Sequence, residues 1–112
     1  MDEFGGWVAQ LRKGFVELLV LLVLEPGERY GYSIVAALRE LGDVVSGEAT
    51  VYLVLKRLET NGSLSSRWVD EGAGPPRKYY AITESGREFL GRGLAEWDKT
   101  AGAVASLRGG IR

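Results

Sequence analysis

Cysteine and histidine are both absent from the chain. Without cysteine there is no disulfide, thiol nucleophile or thiolate metal site, and without histidine the commonest metal ligand and general base are missing too. Zinc enzymes and histidine-dependent hydrolases are excluded. Phosphate-loop glycine patterns do not occur and no convergent carboxylate pair is recognisable, so neither an enzyme nor a cofactor is expected. Long apolar runs are missing as well: LLVLLVL at residues 18–24 falls far short of the roughly 20 residues that span a bilayer. The opening MDEFGG carries acids where a secretory leader carries cations. The expectation is a cytoplasmic protein with no membrane partner.

An overall excess of positive charge is also lacking, since the formal net charge is −1. Any grip on nucleic acid must then come from local segregation of charge. Such segregation exists. Residues 1–48 carry Arg12, Lys13, Arg29 and Arg39 against Asp2, Glu3, Glu17, Glu25, Glu28, Glu40, Asp43 and Glu48, a net of −4. Residues 49–82 carry Lys56, Arg57, Arg67, Arg77 and Lys78 against Glu59, Asp70 and Glu71, a net of +2. What remains is an ordinary globular composition: 112 residues, 46% apolar and 26% charged, enough for one modest core.

Residues 7–24, WVAQLRKGFVELLVLLVL, hold no proline and finish apolar nearly all round, which predicts one helix whose second half is buried on every side. Pro26 and Gly27 stop it, and EPGER connects it to YGYSIVAALRELG. There Ile34, Val35, Leu38 and Leu41 recur at helical spacing before Gly42. A third helix follows in SGEATVYLVLKRLETNG, with Ser46 as its cap and Glu48 in its first turn. Val51, Val54, Leu55 and Leu58 fall on one side; Ala49, Tyr52, Leu53, Lys56, Arg57 and Thr60 spread over the other.

From Leu64 the period changes to that of strands. LSSRWV and RKYYAI flank the turn-forming DEGAGPP, which predicts a β-hairpin. Alternation sets Lys78, Tyr80 and Ile82 on one face and Arg77, Tyr79 and Ala81 on the other, with Tyr80 the expected core tyrosine. Thr83 then caps a last helix, in which Leu90, Leu94, Trp97, Ala101 and Val104 keep the spacing of a coiled-coil seam. Gly91, Gly93 and Gly102 weaken that helix in isolation, so it needs a partner. Only the tail RGGIR is expected to fray.

Three helices followed by a hairpin match a mainly α winged helix-turn-helix, here residues 1–82, with a C-terminal dimerisation helix at residues 83–112. DNA recognition needs donors on the outer face of the reading helix and cations on the wing. Tyr52, Lys56 and Arg57 supply the first, and Arg77, Lys78 and Arg67 the second. Each has a plainer alternative. Lys56 and Arg57 also fit a solvated helix face, Tyr52 also fits packing against the hairpin, and Lys78 also fits a pairing with Asp70 or Glu71. Leu53 points away from the core, either as an unremarkable exposed leucine or as a contact for a thymine methyl.

YGYSIVAALREL, ATVYLVLKRLETNGSLSSRW and GPPRKYYAITESGREFL together resemble the PadR family of bacterial transcriptional regulators. The matching features are a Tyr-Gly pair, a Thr-x-Tyr start to the reading helix, Arg-Leu-Glu before a glycine-ended turn, and a wing ending Arg-Lys-Tyr-Tyr-x-x-Thr. The resemblance spans residues 15–100 or so and is closest to the small subfamily with one C-terminal helix. The chain departs from the pattern at Leu53, where many members carry proline. The resemblance implies a homodimer that represses a nearby promoter through a palindromic site on double-stranded DNA, with Thr50 joining Tyr52 in the contact. It also implies, by likeness to multidrug-sensing members, that Trp97 stacks a hydrophobic or aromatic small-molecule effector, with Phe4, Trp7 and Val8 as walls. At an a/d position, Trp97 equally fits a knob in the dimer seam. A different class of function, a protein-interaction adaptor on the same scaffold without DNA binding, fits the acidic first half and the exposed Leu53.

Overall fold

The computed structural model describes residues 3–42, 45 and 47–109. Its helices and strands run in the order α1 (Glu3–Arg12), α2 (Phe15–Leu24), β1 (Arg29–Tyr30), α3 (Gly31–Arg39), α4 (Glu48–Thr60), β2 (Leu64–Val69), β3 (Arg77–Ile82) and α5 (Glu84–Arg108). This is a winged helix with a long C-terminal helix, and none of its described helices is long and apolar enough to cross a membrane.

The single helix expected over residues 7–24 is two helices. Gly14 adopts φ 103°, a left-handed conformation that ends α1 and redirects the chain into α2. Helical periodicity continues through the break, so only the glycine marked it. Val20, Leu21 and Leu24 of α2 are fully buried. Leu22 is exposed, so the second half of α2 is not covered on every side as expected.

EPGER does not serve only as a connection. Arg29 pairs with Tyr80 and Tyr30 with Tyr79, which adds a short third strand and makes the sheet order β1-β3-β2. The hairpin strands coincide with LSSRWV and RKYYAI, in a register that runs from Leu64 opposite Ile82 to Val69 opposite Arg77.

Ile34, Val35 and Leu38 of α3 are buried, but Leu41 lies beyond the end of the helix and is exposed. All four apolar positions expected of α4 are buried. Gly47 takes the N-cap position of α4, and Ser46, expected to cap it, lies outside the described residues. Tyr80 is the core tyrosine, 7% exposed. These side chains meet Leu64 and Leu90 in one core, with Val16, Leu18, Ile82 and Leu94 packed on its margin.

Thr83 starts α5 as expected: its Oγ1 accepts from Gly86 N at 3.0 Å. The same Oγ1 donates to the Gly62 carbonyl at 2.6 Å, while Thr83 N donates to the Ser63 carbonyl at 3.0 Å. The α5 backbone therefore lies directly on the turn after α4. A Cβ at Gly86 would stand 2.1 Å from the Ser63 carbonyl oxygen. Of the tail expected to fray, residues 110–112 lie outside the described residues.

Two glycines on α5 should thus respond in opposite ways to alanine. Gly86→Ala forces backbone apart and is expected to cost roughly 1–3 kcal/mol. Gly91→Ala meets open space and should gain about 0.5–1 kcal/mol from helix propensity. Urea unfolding midpoints of the two variants measure both signs.

Candidate nucleic-acid interface

At about 100° per residue, burying Val51, Val54, Leu55 and Leu58 turns Ala49, Leu53, Lys56, Arg57 and Thr60 outward on α4. Lys56 is exposed and has no ion-pair partner among the described residues. Arg57 reaches Glu17 of α2 at 4.0 Å and is otherwise open to solvent. Thr50 is half-buried in the first turn. Arg39 at the end of α3 holds Glu48 at 3.4 Å, which keeps that carboxylate beside the start of α4 and off its outer face.

Tyr52 leans from α4 across the first turn of α3, so close that a Cβ at Gly31 would meet its ring at 2.8 Å. The phenol is held above its ordinary pKa, first by burial and then by the Glu48 carboxylate. It stays protonated at neutral pH and can donate a hydrogen bond. Tyr52 shares a shallow cavity of about 360 Å³ with Tyr30, Gly31, Tyr32, Arg77 and Lys78. Helix α4 and the wing, which look separate in the sequence, thus present their polar groups around one depression.

The two wing cations differ. The Arg77 guanidinium lies over the Tyr30 ring, 4.4 Å from its centroid, with no carboxylate partner among the described residues. Its N–H groups stay available at the ring edge. Lys78, on the opposite face of the strand, donates to Glu59 of α4 at 3.2 Å and sits within 6 Å of two rings, 5.9 Å from Trp68 and 5.3 Å from Tyr80. Glu59 is pulled below the ordinary carboxylate range mainly by the Ser66 hydroxyl and also by Lys78, and Lys78 is raised by its bond to Glu59.

The partners considered for Lys78 are engaged elsewhere. Asp70 accepts from Gly72 N at 2.9 Å, and Glu71 accepts from the Tyr79 hydroxyl at 2.6 Å. Arg67 is held by both oxygens of Glu28 and lies near the Tyr79 ring. The freest donors are therefore Tyr52, Lys56 and Arg77; Arg57 is loosely paired, and Lys78 and Arg67 are held by carboxylates.

A second surface lies at the other end of the molecule. A groove of about 840 Å³ runs between α1, the start of α2 and α5, with Trp7, Leu11, Phe15, Trp97, Ala101 and Val104 among its walls. Trp97 is 43% exposed and takes Phe15 edge-on at 4.9 Å. A smaller space of about 320 Å³ continues between Phe15, Leu18, Leu19, Leu22, Leu94 and Trp97.

Of the walls expected from α1, Trp7 lines the groove, while Phe4 stacks on Trp7 at 6.0 Å from outside it and Val8 is not part of its lining. Rotation of α1 at Gly14 decides which of its sides faces α5. Phe15 was not anticipated, although its spacing to Leu18 and Leu22 on α2 is helical. Leu90, read as part of the seam, is 2% exposed and belongs to the chain's own core. Leu94, Trp97, Ala101 and Val104 are the seam positions that line these two spaces.

Residues 20–92 match the model of the transcriptional regulator PadR-like family. The crystal structure of a PadR family transcriptional regulator from Eggerthella lenta is similar at 36% identity and TM-score 0.77, covering 95% of this chain and 88% of that one. Bacillus subtilis PadR, crystallised in complex with operator DNA, is similar at 30% identity and TM-score 0.65, over 71% of this chain and 46% of that one. An uncharacterized protein of Lysinibacillus sphaericus is 32% identical over 87 residues, 76% of this chain and 80% of its own length.

The Glu59 contacts give the interface a pH signature. With its folded pKa below the unfolded value, Glu59 contributes stability that is full above the ordinary carboxylate range and is lost as pH falls through the depressed value. Lys78 has the opposite sense: its raised pKa adds stability that is lost only when pH rises through it, above the ordinary lysine range. Glu59→Gln should therefore reduce the fall in urea midpoint between about pH 6 and about pH 3. Equal acid sensitivity in wild type and variant would contradict the assignment.

Proposed function

The chain belongs to the PadR-like family of transcriptional regulators, and on that premise we propose that it is a homodimeric DNA-binding repressor acting in the cytoplasm on a palindromic site near its own gene. Residues 1–82 form the DNA-binding part, and residues 83–112 the part whose helix α5 (Glu84–Arg108) pairs two copies. The family is one of transcriptional regulators rather than enzymes. The observation that carries the reading is the convergence of free donors on one surface. Tyr52 and Arg77 share the cavity between α4 and the wing, and Lys56 stands exposed on the outer face of the same helix.

In this reading α4 lies in the major groove, with Thr50, Tyr52, Lys56 and Arg57 toward DNA, and the wing follows the adjacent backbone. Arg77 is the principal wing contact, because its guanidinium is braced by Tyr30 without being neutralised. Lys78 orients the wing on α4 through Glu59 and adds a weaker phosphate contact. Leu94, Trp97, Ala101 and Val104 form the dimer seam together with α1.

A hydrophobic or aromatic small-molecule effector is supported by a separate feature. Trp7, Phe15 and Trp97 line the groove of about 840 Å³, and its charged lining is Glu96 together with Lys13 and Arg108. A ligand there would shift the seam helices and with them the spacing of the two reading helices.

Two measurements test these statements. Binding of purified protein to the DNA upstream of its gene should weaken linearly in log–log form as salt rises, and Arg77→Ala should lower that slope by about 1, with Lys78→Ala closer to wild type. Absence of DNA retention at every salt concentration would overturn the reading in favour of the adaptor. For the effector, planar aromatic cations should quench tryptophan emission in wild type and much less in Trp97→Ala, with Trp68, outside the groove, serving as the internal background. Unchanged emission across a broad panel would remove the effector.

A further inference from the structure

We propose that Leu53 determines base specificity by seating the C5-methyl group of a thymine in the major groove, an inference that rests on α4 being the reading helix. Leu53 is 69% exposed in the middle of a helix whose other large aliphatic residues are all buried. At about 100° per residue it stands opposite the midpoint of Val51 and Leu55, with Ala49, Lys56, Arg57 and Thr60 within about 60° of it. It lies within about 30° of the direction opposite the mean of the four buried positions, on the face of α4 that would meet a groove floor.

The surroundings select the occupant. Neither of the two apolar spaces beside Trp97 includes a residue of α4, so Leu53 does not extend the aromatic groove between α1, α2 and α5. The groups flanking it are donors or small: Tyr52 and Lys56 for polar atoms and phosphates, and Ala49 one turn earlier as an apolar continuation. A leucine among hydrogen-bonding readers has nothing to offer N7, O6 or an exocyclic amine. The one apolar feature a base pair presents in the major groove is the thymine methyl. Covering that methyl removes apolar surface from water on both partners, while a cytosine or a purine at that place would bring a polar edge against leucine and leave it without a hydrogen bond.

The test compares duplexes that differ by the methyl alone. DNA bound by the wild-type protein is selected from a random pool, and each thymine of the enriched site is replaced in turn by deoxyuridine. The expected result is one position per half-site where the replacement weakens binding about fourfold, the worth of one buried methyl. In Leu53→Ala the thymine-to-uracil ratio at that position should fall to about 1, and in Leu53→Met, which keeps an apolar reach, the preference should persist. Because Leu53 is exposed, both variants should keep the wild-type urea midpoint, which separates a lost contact from a lost fold. A wild-type protein that binds its selected sites equally well with uracil at every position overturns the proposal, as does an undiminished ratio in Leu53→Ala. Failure to retain any DNA overturns the reading helix assignment together with it, whereas DNA binding without a methyl preference overturns Leu53 alone.

Discussion

The hydrogen bond from Thr83 Oγ1 to the Gly62 carbonyl, 2.6 Å long, ties the junction of β3 and α5 to the end of α4, 21 residues earlier. On one side is the end of α4, where Ser63 N is shared between the Leu58 carbonyl at 2.8 Å and Asn61 Oδ1 at 3.0 Å. On the other are the last residue of the wing strand and the first turn of α5, capped by the same Thr83 oxygen. Ser85 adds a second hydroxyl to the Gly62 carbonyl at 3.0 Å, and the bare α-carbon of Gly86 lets the helix settle on Ser63. Because a threonine hydroxyl can both accept and donate, one side chain starts α5 and fixes its approach to the end of α4. The direction of α5, and so the position of everything on it, follows from that junction.

Charge is distributed by the same logic of shared partners. A chain with a net charge of −1 offers a cationic surface only if its carboxylates are held away from it. Glu28 is held against Arg67, Glu48 against Arg39, and Glu59 lies between Ser66 and Lys78. These exposed or half-exposed pairs contribute little to stability. Their effect is positional, because they orient the wing and draw carboxylates to the flanks, so that Lys56 and Arg77 have no carboxylate partner among the described residues. Aromatic rings complete the arrangement: Tyr30 and Tyr79 pack at 5.6 Å, and Tyr30 supports the Arg77 guanidinium.

The far end of the molecule depends on glycine. The left-handed turn at Gly14 frees α1 from the line of α2 and lets Trp7 face α5. Gly93 lets α5 approach α2 closely, since a Cβ there would stand 2.6 Å from a methyl of Leu18. Read from propensity alone, Gly93 is only a weakness in a helix; in place it is what allows Leu94 to pack on the core and Trp97 to meet Phe15 edge-on. A groove with two indoles and a phenyl ring on its walls, left open in a single chain, is an apolar surface that a second copy or a flat ligand would cover.

What the sequence determined by itself was local. The strand limits, the buried faces of α3 and α4, the Thr83 cap and the core role of Tyr80 could all be read from period and chemistry, because each depends on residues within a few positions of one another. The tertiary structure decided what depends on distant partners. It added β1, whose two residues show no period and exist as a strand only against Tyr79 and Tyr80. It assigned Leu90 to the core and Leu41 to solvent, although both keep the helical spacing. It gave Lys78 to Glu59, 19 residues earlier, rather than to its neighbours in the loop, and set Arg77 over the Tyr30 ring with no carboxylate partner among the described residues. Spacing along a chain reports which way a side chain points; which partner waits there is set by the packing of other elements, and a cation's role at an interface follows from that partner.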